Sequence, residues 1–484
     1  MNRRKSKRQK RAQLIFVYTL MALSVITVVG ILALVMLGYR FNRYDGKVEQ
    51  GGLVQFDSRP SGAVVTIDGI RLANKTASKI TAMSGQHTIT IAKEGYTSWQ
   101  KDVFVQAGGV LWLNYALLKP TKPTVTTVAT LPTISSSMVS YDRKSMVVVA
   151  EPSNPLLYVI SLNSDVPSLT KVQIPTSLYT ATEDATTQTF SLVGLDKEAR
   201  SAIVQHTYLD KSEYLSIDIR GGNAMYNINQ SAGADIAAVD YRFGDPGTVY
   251  VVTAARELRR LGLASSTLSA PIVGNIAEFS QTNQTGVTYT TLPDTTGVRT
   301  IGYVSDGATK ARSLGSTSGG DVYKVLASTY FGERYITTLS GTTVTISKGD
   351  LPDTDSSGAL NQKVVATFTV APGATTLRYS PGDNRFVMVQ SGEHIAGYDL
   401  ELMQSSRLTL ATAPSRAVGW IDGYHWAAVA GGTATYYDFD GTNGQMIVSG
   451  ASDAAVGLSE NYKYLYSTIS TPAGIDIVRS TMTN

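Results

Sequence analysis

Three patterns of apolar and polar residues divide this chain, and the first is one long apolar segment. No charged residue lies between Ala12 and Tyr39, and the positions from Leu14 to Leu37 are nearly all apolar. As a helix these positions span about 36 Å, enough to cross a hydrocarbon layer about 30 Å thick. The pattern therefore predicts a transmembrane helix at residues 12–39. The alternative, a cleaved signal peptide, has a shorter apolar region and a small-residue cleavage site.

Positive charge is concentrated in front of this segment. Residues 1–11 carry seven positive side chains and no acidic one. Because flanking positive charges are retained on the cytoplasmic side, we expect the tail in the cytoplasm and everything after Tyr39 outside. The segment is thus predicted to be a signal anchor that crosses the lipid bilayer of the cytoplasmic (plasma) membrane once. The residues of this topology signal are Arg3, Arg4, Lys5, Lys7, Arg8, Lys10 and Arg11.

The second pattern is a set of short alternating runs at residues 53–119, which follow a polar stalk at residues 40–52. Alternation of apolar and polar residues predicts short strands, each with one buried face. The runs together predict a small β domain. Their apolar positions are Val54 and Phe56, Val65 and Ile67, Ile89 and Ile91, Val103 and Val105, and Leu111, Leu113, Tyr115 and Leu117.

Four short motifs lie in order along the same strands. They are Pro60-Ser61-Gly62-Ala63, Asp68-Gly69, Gly85-Gln86-His87 and Lys93-Glu94-Gly95-Tyr96. In this order the segment resembles the PEGA domain, although Ser61 stands where the family name implies glutamate. The resemblance implies a small β-sandwich of prokaryotic envelope proteins, without catalytic residues. We expect structural roles for all of these residues: turn geometry for the glycines and packing for the tyrosine.

The third pattern is a repeat that follows a proline-marked linker at residues 120–124. Each copy starts with an alternating strand that ends in a polar turn, and further strands follow. Eight copies with a mean period of about 45 residues fill residues 125–484, and four strands at this period are typical of a β-propeller blade. The copies are anchored at Tyr141-Asp142, Leu195-Asp196, Asp240-Tyr241, Phe279-Ser280, Ser328 to Tyr330, Tyr379-Ser380, Trp420-Ile421 and Leu458-Ser459.

The two ends of the repeat predict a closed ring. The last copy has room for three strands, and the segment 125–131 ahead of the first copy resembles a fourth strand. If that segment completes the last blade, no sheet edge stays open. We therefore predict a mainly β protein with eight blades, seven being the next choice and two successive β-sandwiches the other architecture. The layout resembles the WD40/TolB-like propellers, although the WD dipeptide signature is absent.

Composition narrows the function classes. The chain has no cysteine, which excludes disulfides, thiol catalysis and cysteine-based metal sites. The net charge of +4 comes from the tail, because 42 basic residues less those seven leave 35 against 38 acidic ones. A basic tail that serves as a topology signal gives no reason to expect nucleic acid as a partner.

Motifs for catalysis or metal binding are scarce. The four histidines do not fall at metal-ligand spacing, and no phosphate-binding loop or nucleophile elbow is present. Asp353, Asp355 and Ser357 place oxygen atoms at positions 1, 3 and 5 of a calcium-type loop, but position 12 is Val364 where glutamate is needed. These three residues are the candidate metal site, with an ordinary polar turn as the alternative. No cofactor is predicted.

Together these patterns favour a non-catalytic membrane protein. A single-pass anchor would present a PEGA-like module and a β-propeller outside the membrane, to bind or scaffold an envelope protein or a surface glycan. Trp420 and Trp426 are expected either to stack on sugars or to pack in the core. The alternative function is a tethered glycan hydrolase or lyase, which needs two carboxylates about 5–10 Å apart in the propeller channel.

Overall fold

The structure, a computed structural model, describes residues 7–36, 38–41, 48–182, 187–222, 224–282, 286–318, 323–351 and 361–483. Its contacts divide the chain into two compact units, Met1–Lys122 and Pro123–Asn484. The division falls inside the predicted linker at residues 120–124.

The first unit begins with helix α1 (Lys7–Met36). Its segment Arg11–Met36 is long and apolar enough to cross a membrane, and none of it is buried against the rest of the protein. The 26 residues of this segment rise about 39 Å as a helix. The helix ends three residues before the predicted boundary at Tyr39.

Nine strands follow in the described part of this unit, and their bounds are β1 (Tyr39–Phe41), β2 (Val48–Gln50), β3 (Gly52–Arg59), β4 (Val64–Ile67), β5 (Ile70–Lys75), β6 (Ser78–Ala82), β7 (Gly85–Ala92), β8 (Trp99–Val105) and β9 (Val110–Leu117). Strands β1 and β2 pair antiparallel within the predicted stalk, so that stretch contains a short ladder. The other strands form two sheets, in the orders β6-β3-β9 and β5-β4-β7-β8. Within the three-stranded sheet, β3 and β9 run parallel.

The predicted alternation sets which side chains of this unit are buried. Strand β3 alternates buried and part-exposed residues along its length, and so does β8. Phe56 of β3 and Ile91 of β7 are fully buried. Trp99 of β8 meets Tyr115 of β9 edge to face, with ring centroids 5.7 Å apart. One face of each strand therefore builds the core, as the two-residue period of a strand requires.

Strand β10 (Val125–Leu131) opens the second unit, and the strands that follow it form sheets that we number 1 to 8 along the chain. Sheets 1 to 4 comprise β11 (Ser136–Val139), β12 (Ser145–Val149), β13 (Leu156–Ser161) and β14 (Ser168–Gln173); β15 (Gln188–Leu195), β16 (Ser201–Tyr208), β17 (Lys211–Asp218) and β18 (Tyr226–Asn227); β19 (Ile236–Arg242), β20 (Asp245–Thr253), β21 (Leu258–Gly262) and β22 (Thr267–Leu268); and β23 (Ile276–Thr282), β24 (Gly286–Thr291), β25 (Val298–Ser305) and β26 (Arg312–Ser318). A 3-10 turn (Thr176–Leu178) precedes sheet 2, and helix α2 (Ile228–Ala232) precedes sheet 3.

Sheets 5 to 8 repeat the same order of strands. They comprise β27 (Tyr323–Tyr330), β28 (Glu333–Ser340), β29 (Thr343–Gly349) and β30 (Gln362–Thr369); β31 (Thr376–Tyr379), β32 (Phe386–Ser391), β33 (His394–Asp399) and β34 (Gln404–Thr409); β35 (Gly419–Trp420), β36 (His425–Ala430), β37 (Thr433–Asp438) and β38 (Gln445–Ser449); and β39 (Gly457–Leu458), β40 (Tyr464–Thr471), β41 (Gly474–Thr481) and β10. The described residues thus form eight four-stranded antiparallel sheets in this unit. Each anchor dipeptide of the repeat lies on the first strand of a sheet or in the turn after it.

Sheet 8 joins the two ends of the unit. Strand β10 pairs with β41, and Val125 lies opposite Ser480. Leu131 of β10 and Tyr466 of β40 share one buried cluster with Met146 and Ile160 of sheet 1. Apolar clusters likewise join sheets 1 to 2, 2 to 3, 3 to 4, 4 to 5, 5 to 6 and 6 to 7. Sheets 7 and 8 meet where the backbone N–H of Ser470, on β40, donates to the carbonyl oxygen of Gly450, directly after β38, at 2.8 Å. With every neighbouring pair of sheets in contact, the eight sheets form a closed ring, the arrangement of a β-propeller rather than of two sandwiches.

Candidate functional site

The candidate site is a cavity of about 740 Å³ at the centre of the ring. Its walls come from the first strands of sheets 1, 2, 6 and 7 and from residues 453–456 ahead of β39. These strands line the cavity because the first strand of each sheet lies innermost in a propeller. A cavity of this volume is in the usual range of ligand sites.

Tyr141 is one of the residues that line this cavity. It lies in the turn between the first and second strands of sheet 1. Its hydroxyl accepts a 2.8 Å hydrogen bond from the backbone N–H of Gly382, in the corresponding turn of sheet 6. Its ring meets Phe243, in the corresponding turn of sheet 3, edge to face with centroids 6.0 Å apart. Because sheets 1, 3 and 6 are spread around the ring, Tyr141 connects their turns across the axis of the propeller.

The charged groups that line the cavity are mostly positive. Among the described residues they are Arg143, Arg378, Arg416 and Asp453. Arg143 donates to the carbonyl oxygen of Glu460 at 3.3 Å and lies over the Tyr462 ring, 4.6 Å from its centroid. Three guanidinium groups against one carboxylate give the cavity an excess of positive charge.

Arg378 and Arg416 are held by hydrogen bonds to residues of other sheets. Arg378 Nη1 donates to the carbonyl oxygen of Val418 at 3.0 Å. Arg416 reaches sheet 1, where its guanidinium donates to the Oγ and the carbonyl oxygen of Ser137 at 3.3 and 3.4 Å. No described carboxylate lies within 4.0 Å of either guanidinium. Both side chains are therefore fixed in place without a partner of opposite charge in contact.

The surroundings of these two arginines lower the pKa of both guanidinium groups. Burial lowers the pKa of Arg378, and the positive charge of Arg416 lowers it further, although the Arg378 side chain is exposed to the cavity. Burial also lowers the pKa of Arg416, an effect that Asp453 partly offsets. The cavity therefore destabilises the positive charge of both arginines, and a negatively charged ligand bound beside them would stabilise that charge.

Of the two tryptophans considered for sugar stacking, only Trp420 lines the cavity. Trp420 is partly exposed. Its indole ring stacks on the ring of Phe386, with the ring centroids 6.3 Å apart and an interplanar angle of 24°. Trp426 is fully buried and stacks on Tyr437. Trp426 is therefore a core residue.

A second cavity, of about 260 Å³, has two acidic residues in its lining. It is lined by sheets 2, 3 and 4 and contains Asp240, Arg256 and Glu278. Burial raises the pKa of Asp240 to about 6, even though its Oδ1 accepts from the Tyr241 N–H at 2.9 Å. Glu278 accepts from Lys324 Nζ at 2.6 Å. Two carboxylates thus face one cavity, and one of them is already paired with a cation.

Two histidines form buried polar clusters away from the cavities. His425 Nδ1 lies 2.9 Å from Asp422 Oδ2, and its Nε2 lies 3.5 Å from Asp438 Oδ1. Burial alone would lower the pKa of His425, but the two carboxylates outweigh it and raise the pKa to about 10. His206 Nδ1 lies 2.9 Å from Glu213 Oε1 in sheet 2. These pairs hold strands together inside single sheets.

The PEGA-like motif residues lie at turns and strand ends. Gly62, Gly69, Gly85 and Gly95 all have positive φ values, which favours glycine there. His87 lies 2.7 Å from the carboxylate of Asp68. Ala63 is fully buried, Pro60 follows β3, and Tyr96 pairs in a bridge with Pro120.

The predicted metal candidate, Asp353, Asp355 and Ser357, lies outside the described residues. Within the described ranges, no group of three or more His, Asp or Glu side chains is placed to hold a metal ion. Of the topology signal, the structure describes only the side chain of Arg11, which is exposed.

Sequence reasoning missed Arg378 and Arg416 as site residues. They belong to different sheets, and nothing in the local sequence shows that they face one cavity. The position of Arg378 in the repeat could have indicated its role, because it lies on the first strand of sheet 6, next to the anchor Tyr379-Ser380. A charged residue on an innermost strand is a candidate for the channel lining.

Comparison with solved structures gives distant similarities. The chain is similar to the Dos1 propeller, at 12% identity and a TM-score of 0.47 over 75% of this chain and 95% of that one. It is similar to the β-propeller domain of Cps50 (Swd1) from Myceliophteria thermophila, at 7% identity and a TM-score of 0.43 over 63% and 96%. An oligogalacturonate lyase in complex with manganese matches at 10% identity and a TM-score of 0.39 over 68% and 96%.

Comparison with protein families gives a match within the first unit. No curated protein matches the chain. Residues 52–121 match the PEGA domain family, over the strands β3 to β9 that carry the four motifs. With the ring of sheets described above, the chain therefore contains a PEGA domain at residues 52–121 followed by a β-propeller.

Proposed function

We propose that this chain is a membrane-anchored, non-catalytic binding or scaffold protein of the prokaryotic cell envelope. Helix α1 would hold it in the cytoplasmic membrane with its N-terminus inside, and the PEGA domain and propeller would lie outside. The observation that carries the proposal is the central cavity of about 740 Å³, which is lined by three arginines, Trp420 and Tyr141. Such a cavity offers a ligand one concave, charged and partly aromatic surface.

The architecture that goes with this proposal is an eight-bladed propeller preceded by a β-sandwich. Each of the eight four-stranded sheets of the described residues is taken as one blade, with β10 completing the last. The two sheets of the PEGA domain are taken as the layers of a sandwich, because both bury alternate residues. A rigid scaffold of this kind suits binding, which needs groups fixed in place rather than groups that react.

Partner capture and topology together test the proposal. The full chain is crosslinked in intact cells, purified from solubilised membranes, and its partners are identified. We expect the chain in the membrane fraction, its propeller open to added protease, and an envelope protein or glycan attached to it. As a matched control, a variant with its seven N-terminal positive residues changed to glutamine should lose its uniform orientation. A chain that stays in the soluble fraction would contradict the proposal.

One observation favours a second function, a tethered glycan hydrolase or lyase. Asp240 and Glu278 share a cavity, and a carboxyl group whose pKa is raised to about 6 is suited to donate a proton near neutral pH. The ion pair between Glu278 and Lys324 weakens this reading, because it occupies the second carboxylate. Turnover of envelope glycans by the full chain, abolished in both D240N and E278Q, would replace the scaffold proposal with this one.

A further inference from the structure

We propose that the central cavity binds an acidic sugar of a surface glycan, one that bears a carboxylate or a phosphate, through Arg378 and Arg416. This inference rests on the proposed function and deepens it, because it names the class of ligand that the binding site takes. Both residues line the same cavity on the innermost part of the ring.

The charges of the cavity carry the first part of this inference. Arg143, Arg378 and Arg416 face it against one carboxylate, that of Asp453. Within the described residues, no carboxylate approaches the guanidinium groups of Arg378 and Arg416 to within 4.0 Å. Arg378 is exposed and Arg416 is half-exposed, so a ligand in the cavity can reach both guanidinium groups. An anionic ligand would supply the missing partner.

The way in which the two arginines are held carries the second part. Each is anchored to another sheet, Arg378 through the carbonyl oxygen of Val418 beside sheet 7 and Arg416 through Ser137 of sheet 1. A guanidinium has five N–H donors, and the described contacts of Arg378 use one of them. The unused donors have the fork geometry that matches a carboxylate or phosphate with two parallel hydrogen bonds. The binding groups are thus positioned before the ligand arrives.

The aromatic residue that lines the cavity beside the arginines favours a sugar as the molecule that bears the negative charge. Trp420 lines the cavity with a partly exposed ring, and Phe386 holds that ring from behind. A fixed aromatic face packs against the apolar face of a sugar ring. At about 740 Å³ the cavity has room for such a ring together with its charged group.

The experiment measures binding of the detergent-solubilised full chain to a panel of oligosaccharides. The panel contains glucuronate-bearing, galacturonate-bearing and phosphate-bearing oligosaccharides, the neutral parent of each, and a triglutamate peptide. We expect binding to acidic sugars and not to their neutral parents, and the carboxylate and phosphate arms identify the source of the anion. R378Q and R416Q should each weaken binding about tenfold or more, since hydrogen bonds to charged groups are the strong ones. R378K, which keeps the charge, should lose less than R378Q.

A matched control removes the same charge elsewhere. Lys363 is exposed on β30, the outermost strand of sheet 5, and K363Q should bind as the wild type does. Equal binding of neutral sugars, equal binding of triglutamate, or equal losses in K363Q and R378Q would each overturn the inference. If no panel member binds while envelope partners still co-purify with the chain, the acidic-sugar inference falls and the proposed function stands. If no panel member binds and no envelope partner co-purifies, both the acidic-sugar inference and the proposed function are wrong.

Discussion

The hydroxyl of Tyr141 accepts a 2.8 Å hydrogen bond from the backbone N–H of Gly382, which joins a turn of sheet 1 to a turn of sheet 6 across the ring. The same tyrosine touches Phe243 of sheet 3. One side chain therefore links three sheets that do not follow one another in sequence. It also lines the central cavity, so the shape of the site depends on how these sheets are held together.

The first prediction separates the two contacts of Tyr141. Y141F removes only the hydroxyl and is expected to lower the free energy of unfolding by about 1 kcal/mol, the net value of one hydrogen bond. Y141A also removes the contact with Phe243 and should cost about 2 kcal/mol more. Chemical denaturation of the solubilised full chain, followed by intrinsic fluorescence, measures both. Equal losses in the two variants would show that the ring of Tyr141 contributes nothing.

The second prediction concerns the buried cation in sheet 7. His425 lies between Asp422 and Asp438, and all three side chains are almost fully buried. H425Q leaves two carboxylates buried without their cation, so we expect a loss of about 3–5 kcal/mol at pH 7. H394Q removes an exposed histidine of sheet 6 and should cost little.

The effect of His425 should also depend on pH. Its pKa is raised to about 10 in the folded protein, against about 6.5 in an unfolded chain. A raised pKa contributes stability that is complete below pH 6.5 and is lost as the pH rises through 10. The stability difference between wild type and H425Q should therefore narrow from pH 7 to pH 10. Parallel stability curves over that range would contradict the ion pair.

The third prediction uses the acidic cavity. Burial raises the pKa of Asp240 to about 6, against about 3.9 in an unfolded chain, so its carboxyl group is mostly neutral in both states only below about pH 3. As the pH rises from about 4 to about 6, the unfolded chain ionises before the folded one and the wild type loses stability relative to D240N, a loss that levels off above about pH 6. We expect D240N to gain about 1–3 kcal/mol on the wild type between pH 4 and pH 7. D210N, the same change in an exposed turn, should show no such gain.

The repeat could be predicted from the sequence because most copies share a polar residue after the first strand, which forms a local hydrogen bond with the second strand. In sheets 1, 6 and 8, a serine after the first strand accepts from the first backbone N–H of the second strand: Ser140 from Ser145, Ser380 from Phe386 and Ser459 from Tyr464. In sheet 2 Asp196 accepts from Ser201 in the same way, and in sheet 7 Asp422 accepts from His425. These residues belong to the anchors or adjoin them, so the strand order followed from short-range chemistry.

Other features of the structure depend on contacts that short-range patterns do not report. Sheet 5 joins its first two strands through Phe331-Gly332, both at positive φ, and so lacks the polar turn residue that marks most copies. The cavity is a stronger case. Arg378 and Arg416 come together only when sheets 6 and 7 take their places in the closed ring, and their shared surroundings include sheet 1. The sequence therefore predicted the ring of sheets. That the central cavity carries an excess of positive charge could be seen only in the structure.

The last prediction tests the closure of the ring. Leu131 of β10 is 5% exposed and packs in the cluster that joins sheets 8 and 1. L131A should lower the free energy of unfolding by about 3 kcal/mol, through lost burial and the space left behind. Val125, at the other end of the same strand, is 45% exposed, and V125A should change the stability by less than about 0.5 kcal/mol. Because β10 and β41 come from opposite ends of the unit, a propeller that closes through them must depend on Leu131 far more than on Val125. Similar stability losses in the two variants would mean that the strand adds an edge without holding the ring together.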